Sequence, residues 1–179
     1  METEREKMVE LPPPSSRLIT KDVDGKLVDK VVDFLQNVGI SSNIPDNMST
    51  KDFYSNIVGS HLKLHQIEHG RVTCFFSVKP AVANFYGGVH GGAVGAVAER
   101  MAIACARTVV AEEKEIFLAD LSISYLYAAP ANSQLIIDAS VSKNGKTVTV
   151  VAVDFKFKES RRVCFSCHAT FFNMPVSKL

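Results

Sequence analysis

The chain has 179 residues, a length for one domain with an extension. Hydrophobic residues make up 46% and charged residues 22%, the balance of a globular protein with a sizeable core. A formal net charge of +1 gives no broad attraction to nucleic acid or to an anionic membrane, so neither is expected as a partner and any basic patch is local.

The opening METEREKMVE has no apolar h-region, so no secretory signal is expected. Charged residues and PPPSS follow one another over residues 1–20, which are expected to form a flexible arm. Residues 21–59 read as a helical extension. In KLVDKVVDFLQNVG, the residues Leu27, Val28, Val31, Val32, Phe34 and Leu35 recur at helical spacing, and Gly39 stands where a C-cap would. A second short helix is expected through STKDFYSNIVG, with Ser49 or Thr50 as its cap.

From His61 the period shortens to two. HLKLHQIEHG and RVTCFFSVK read as strands joined by a turn at Glu68-His69-Gly70. A glycine-rich turn and an apolar helix, about Gly91 to Val110, come next. Four strand patterns then follow: EIFLADLSISYLYA, SQLIIDASVSK, KTVTVVAVDFKFKE and RVCFSCHATFF. Hairpins are expected to join them, and Asn144-Gly145 is a two-residue hairpin signal. The helix carries Val94, Val97, Ala98, Met101, Ile103, Ala104 and Cys105, apolar on nearly every side, so it is expected to be buried. An antiparallel sheet that curls around it gives an α+β architecture over residues 60–174.

The charge-free run Ala81–Ala98 holds five glycines with Asn84 and His90, a poor membrane span, so no membrane insertion is expected. The tail, 175–179, ends in Ser177-Lys178-Leu179, which reads as a peroxisomal address and implies an import receptor as partner. The four cysteines are too scattered for a disulfide scaffold, which agrees with a reducing compartment. CFSCH matches a haem-attachment string. Strand alternation would turn Cys164 and Cys167 to opposite faces, so both read as core cysteines, with no metal or haem.

Gly92, Gly95, Ala96 and Glu99 share one stripe of the helix. Two readings stand. The glycines permit close packing and Glu99 pairs with Arg100, Arg107 or a neighbouring chain. Alternatively, the small residues clear a groove toward a carboxylate that acts as general base or nucleophile. In GGVHGG, the backbone N–H groups near Gly91 and Gly92 open a helix, where developing negative charge is stabilised. The same turn also serves simply as a tight bend. It is no P-loop, because Ala93-Val94 stands where Lys-Ser/Thr is required. Asn84 and His90 either bond a substrate carbonyl or fix the loop. Lys143, Lys146, Arg161 and Arg162 lie near hairpin ends, as a solvated rim or as contacts for a phosphate group.

NFYGGVHGGAVGAVAE, with DLSISYLYAAPA and SKNGKTVTVVAVDF, resembles the hotdog-fold thioesterases, in particular the small PaaI-like acyl-CoA thioesterases, the branch of mammalian thioesterase superfamily member 2. The resemblance covers about residues 60–173. It implies a long central helix wrapped by a curved antiparallel sheet, and hydrolysis of an acyl- or aryl-CoA thioester to free acid and coenzyme A without a cofactor. It also implies a dimer joined sheet edge to sheet edge with two sites at the interface, often paired into tetramers. By position, Asn84 corresponds to the asparagine near the thioester carbonyl, and Gly91 to the glycine whose N–H polarises it, with His90 beside it holding the loop or the water. Glu99 corresponds to the catalytic acid contributed by the partner subunit. Tyr125 and Lys143, Asn144, Gly145, Lys146, Thr147 and Val148 correspond to contacts with the CoA thioester. Two positions depart from this branch. Asp is usual where Glu99 stands, and Leu118 stands where a serine assists the attacking water. The acid therefore reads either as base or as nucleophile. A hydratase of the same fold acting on an enoyl-CoA, and a non-catalytic acyl-CoA-binding module, remain as other readings. Phe75, Phe76, Phe85 and Tyr86 line an aryl or long-chain pocket or belong to the core.

Overall fold

Among the described residues seven strands form one sheet: β1 (Ile19–Lys21), β2 (Leu62–Glu68), β3 (Arg71–Ser77), β4 (Lys114–Tyr125), β5 (Gln134–Asn144), β6 (Val148–Phe157) and β7 (Val163–Pro175). Their order is β1-β2-β3-β5-β6-β7-β4. Among the described residues two longer α-helices accompany them, α1 (Gly25–Gln36) and α2 (Gly91–Arg107). The structure, a computed structural model, describes residues 18–36 and 58–175. The expected second helix at residues 49–59 lies mostly outside them, as do Gly39, Ser49, Thr50 and the C-terminal tripeptide.

The sheet wraps α2, which touches β3, β4, β5, β6 and β7. Val94, Val97, Ala98 and Met101 are fully buried in it. Strand alternation supplies the other wall: Val151, Val153 and Phe155 from β6, and Cys167, Ala169 and Phe171 from β7, are all buried. Burying a side chain the size of Val or Met stabilises the fold by roughly 1.5–3 kcal/mol, so each of these residues contributes appreciably to the core. This is the hotdog architecture that the resemblance implies.

Three sequence expectations meet a different arrangement. First, β4 and β5 are not a hairpin: β4 pairs with β7 at the far edge, and β5 pairs with β3. The link after β4 is tied to the glycine-rich loop instead, through Val89 N–H to Ala129 O (2.9 Å) and a bridge of Gly88 with Pro130. Second, the β5–β6 connection is Gly145–Thr147, longer than two residues. Asn144 pairs with Thr149, and Gly145 N–H donates to Val148 O at 2.9 Å. Third, Cys164 and Cys167 are both buried, because the β6–β7 register shifts beside Cys164. Burial pushes the thiols of Cys74, Cys105 and Cys167 up to about 12 and that of Cys164 to about 11, so all four are inert as nucleophiles.

The helix α2 ends at Arg107, short of the expected Val110. There the Thr108 hydroxyl donates to Cys105 O (2.7 Å) and accepts from Gly70 N–H (2.8 Å), tying the helix end to the β2–β3 turn. Part of the expected N-terminal arm is also structured. Ile19–Lys21 pair parallel with Gln66–Glu68. Asp24 Oδ1 accepts from Leu27 N–H at 2.9 Å and starts α1. The buried Arg100 side chain donates to the carbonyls of Phe34 and Leu35 at the other end of α1. A guanidinium suits the partial negative charge of a helix C-terminus, so it locks the extension onto α2.

Candidate active site

The site begins with the loop before α2. Asn84 folds it: its Oδ1 accepts from Tyr86 N–H (3.0 Å) and Gly88 N–H (3.2 Å), and its Nδ2 donates to Val89 O (3.3 Å). Gly87, at φ 78°, takes the left-handed conformation the turn needs. Asn84 is therefore the loop's organiser. The loop leaves Phe85 and Tyr86 almost wholly exposed, so neither belongs to the core, whereas Phe76 does. Phe75 lies instead against His65 and under the Lys158 ammonium.

His90 caps the helix. Its Nδ1 accepts from Gly92 N–H at 3.0 Å. That takes up the second helical amide. Among the described residues the Gly91 N–H donates to no acceptor, so one amide at the positive end of α2 stays open. Across from it, Tyr125 at the end of β4 donates its hydroxyl to Gly91 O at 3.1 Å and stacks edge-on against Phe165. Asn84, His90, Gly91 and Tyr125 thus meet at one end of the helix.

Glu99 does not join them. It lies eight residues along α2, which is about 12 Å of helical rise. The stripe that carries it, Gly92, Gly95, Ala96, Glu99 and Ile103, stays partly or fully exposed, while between the two ends of α2 the other residues are buried. Gly95 lies beside Ile123 of β4, and Arg107 donates to Lys114 O at 2.7 Å, so the stripe runs along β4 with Glu99 between these contacts. Neither sequence-proposed partner of Glu99 holds it. Arg100 turns to α1, Arg107 to Lys114, and Glu99 forms no ion pair among the described residues.

The hairpin Lys143–Val148 is farther still. Asn144 Nδ2 donates to Val109 O (3.2 Å) and Lys114 Nζ to Lys146 O (3.0 Å), at the C-terminal end of α2. Within one chain the open amide, the carboxylate and the hairpin are spread along the length of α2. The Tyr125–Gly91 contact and the bracing of the loop by Ala129 and Pro130 were not readable from sequence. They depend on a crossing between segments with no periodic signal.

Beside β4, the sheet ends. This 12-residue strand pairs with β7 only, and Phe117 (51%), Leu118 (37%) and Tyr125 (56%) are exposed along it. Among the described residues no group of His, Cys, Asp or Glu can hold a metal, and no helix is long and apolar enough to cross a membrane.

No curated protein matches the chain in sequence. Among solved structures, zebrafish thioesterase superfamily member 2 superposes with a TM-score of 0.63 at 22% identity, covering 69% of this chain and 88% of that one. The mouse thioesterase superfamily member 2 gives 0.60 at 20%, covering 65% and 85%. A hypothetical thioesterase protein from Streptococcus pneumoniae, crystallised with coenzyme A, gives 0.58 at 22%, covering 65% and 88%. These likenesses establish the fold. The sequence profile of the thioesterase superfamily matches residues 86–164, from the glycine-rich loop to the start of β7. That segment contains α2, β4, His90, Gly91 and Tyr125, with Asn84 just before it, and the chain accordingly has the hotdog fold with a thioesterase-superfamily match over its central part.

Proposed function

We propose that the protein is an acyl-CoA thioesterase whose site is completed by a second copy of the chain. One observation carries this reading: a Gly91 amide and a Glu99 carboxylate, neither with a partner among the described residues, lie on the same helix, about 12 Å apart by helical rise, too far to act on one carbonyl. An antiparallel pairing of β4 with β4 of a second copy brings the Gly91–Tyr125 end of one protomer toward the middle and the hairpin end of the other. It also covers a long edge strand of the kind that soluble proteins rarely leave open. Residues 60–174 then form the catalytic domain, and the segment before them is an extension held on by Arg100.

In this site the Gly91 N–H, helped by the dipole of α2, polarises the thioester carbonyl and stabilises the oxyanion. Asn84 and His90 hold that amide in place. The partner's Glu99 either activates water to attack the carbonyl, or attacks it itself to give an acyl anhydride that water then hydrolyses; in both cases coenzyme A leaves as the thiol and the acid is released. The hairpin Lys143–Val148, with Tyr125, contacts the CoA portion. The relative crystallised with coenzyme A supports this ligand class.

The test is thiol release from acyl-CoAs of varied length and aromaticity by wild type and Glu99→Gln. A lost general base lowers turnover by about 10²–10⁴-fold. The partly exposed, unpaired position predicts an unchanged melting temperature. Equal turnover in the two proteins removes Glu99 from the mechanism. Saturable binding of coenzyme A esters without thiol release assigns the protein to the non-catalytic reading, and consumption of an enoyl-CoA without thiol release to the hydratase. Ser177-Lys178-Leu179 is proposed to deliver the enzyme to peroxisomes. A fluorescent reporter carrying the three residues tests this, and a diffuse cytosolic signal refutes it.

A further inference from the structure

Near the Gly91–Tyr125 contact, a cation is fixed in place and is in no ion pair among the described residues. The Arg162 guanidinium lies 3.3 Å from the centre of the Tyr127 ring. Tyr127 is itself held, since the amides of Leu126 and Tyr127 both donate to Cys164 O, at 2.9 and 3.1 Å. It stands two residues beyond Tyr125, whose hydroxyl is bonded to Gly91 O. Two residues span at most roughly 7 Å even when extended, so Tyr127 and the Arg162 stacked on it lie close to the Gly91–Tyr125 contact.

The turn that presents it is also ordered. Arg161 adopts a left-handed conformation (φ 60°), its N–H donates to Phe157 O at 2.9 Å, and Arg162 N–H donates to the Ser160 hydroxyl at 3.4 Å. Both arginines are exposed, and neither forms an ion pair among the described residues. Lys158, from the same turn, is directed away toward Phe75. Glu159 is the acid in the turn and is likewise outside the ion pairs described. Stacking on a ring occupies the face of a guanidinium and leaves its in-plane N–H fork pointing outward, the geometry that grips a phosphate by two bonds.

We infer that Arg162, braced on Tyr127 with Arg161 beside it, forms a phosphate-binding subsite that takes the phosphorylated end of coenzyme A. The inference rests on the thioesterase reading and adds to it a residue outside the hairpin. A CoA thioester carries its charges at the far end of a long neutral arm. A cation that recognises them therefore need not touch Gly91. The net charge of +1 makes this a local device and argues against a general polyanion surface.

The experiment compares an acyl-CoA with the matching acyl-pantetheine thioester, which has the same reacting group and arm but no nucleotide phosphates. In Arg162→Gln the preference in kcat/KM for acyl-CoA over acyl-pantetheine falls about tenfold, as expected for one lost charged hydrogen-bonding contact. Arg162→Lys, which keeps the charge and loses the stacked fork, falls in between. The preference in wild type weakens with added salt, and in Arg162→Gln that dependence is shallower. An unchanged preference, or equal losses on both substrates, overturns the subsite while the thioesterase reading stands. If wild type releases thiol from neither substrate, that reading fails instead. Calorimetric titration with coenzyme A then decides the subsite: binding about tenfold weaker in Arg162→Gln supports it, and equal or absent binding overturns it.

Discussion

Proline at position 91 separates the oxyanion role of the Gly91 amide from every structural role of that residue. Gly91 is the first residue of α2, the position at which proline is best tolerated in a helix. His90 before it is at φ −69° and ψ 131°, the extended region that a residue preceding proline must occupy. Gly91 is not among the glycines with positive φ, and its N–H donates to nothing among the described residues, so no fold hydrogen bond is lost. A Cβ there meets Tyr125 Oη at 3.4 Å and Cε1 at 3.6 Å, contacts that the exposed ring relieves by a small shift. Gly91→Pro should thus fold normally and lose one oxyanion donor, which costs about 2.7–4 kcal/mol of transition-state stabilisation, or 10²–10³-fold in kcat. Gly91→Ala adds the same Cβ, keeps the amide, and loses far less. Steady-state thiol release with circular dichroism on both variants checks this, and wild-type turnover by Gly91→Pro refutes the oxyanion assignment. Mixing adds a second reading. In an equal mixture of Gly91→Pro and Glu99→Gln protomers about half the dimers are mixed, each with one intact site, so roughly a quarter of wild-type activity returns. No recovery after subunit exchange refutes the composite site.

Two further outcomes follow from the sheet. Light scattering should give twice the 19.6 kDa chain mass, or four times it if dimers pair, and a monomer that releases thiol at full rate contradicts the shared site. On the outer face, burial raises the Asp138 pKa, and the Arg71 fork (2.8 and 2.6 Å) and Lys156 (3.3 Å) outweigh that and hold the carboxyl below its usual value. A carboxyl depressed on folding stabilises above its unfolded pKa, about 3.9, and that stability disappears as pH falls through the lower folded value. Asp138→Asn should cost about 1.5–3 kcal/mol near neutral pH, as expected for hydrogen bonds to a charged group, and flatten the acid limb of urea-unfolding stability; an identical acid limb refutes the assignment.

The fold was legible in the sequence where a period existed. The alternation of VTVVAVDF and the apolar roll of GGAVGAVAERMAIACA located β6 and α2, and the strand order failed only where pattern is silent. Alternation marks β4 as a strand but does not say which neighbour it takes. It takes β7, and the segment after it, at Ala129 and Pro130, grips the loop at Gly88 and Val89. The site was half legible. Glycines before a helix announce an open N-terminus, and His90 was readable as its cap. That the cap consumes the Gly92 amide and leaves Gly91 open is a matter of ångströms that no residue type encodes. The brace of Arg162 on Tyr127 joins residues 35 apart in sequence, and only the β4–β7 pairing brings them together.

Leu118 bears on how Glu99 works. On β4 it stands opposite the buried Phe171, in the register of the strand face turned toward α2. The hydroxyls of that strand, Ser122 and Ser124, pair with His168 and Ser166 and are exposed, alternating with the partly buried Leu121 and Ile123. A register shift lies between Leu118 and Asp120, so a one-residue slip cannot exchange these faces without breaking the β7 pairing. The stretch of β4 alongside Glu99 thus presents aliphatic side chains where a serine would hold water. If Glu99 acts as a base, the attacking water lacks one of its supports and turnover is submaximal. Leu118→Ser should then raise kcat, by about fivefold for one added hydrogen bond of about 1 kcal/mol. If Glu99 attacks the carbonyl itself, the first step needs no water, and the aliphatic wall protects the acylated carboxylate by excluding it. Leu118→Ser then leaves thiol release in the first turnover unchanged, a result that rules out a water-activating base limited by its missing support.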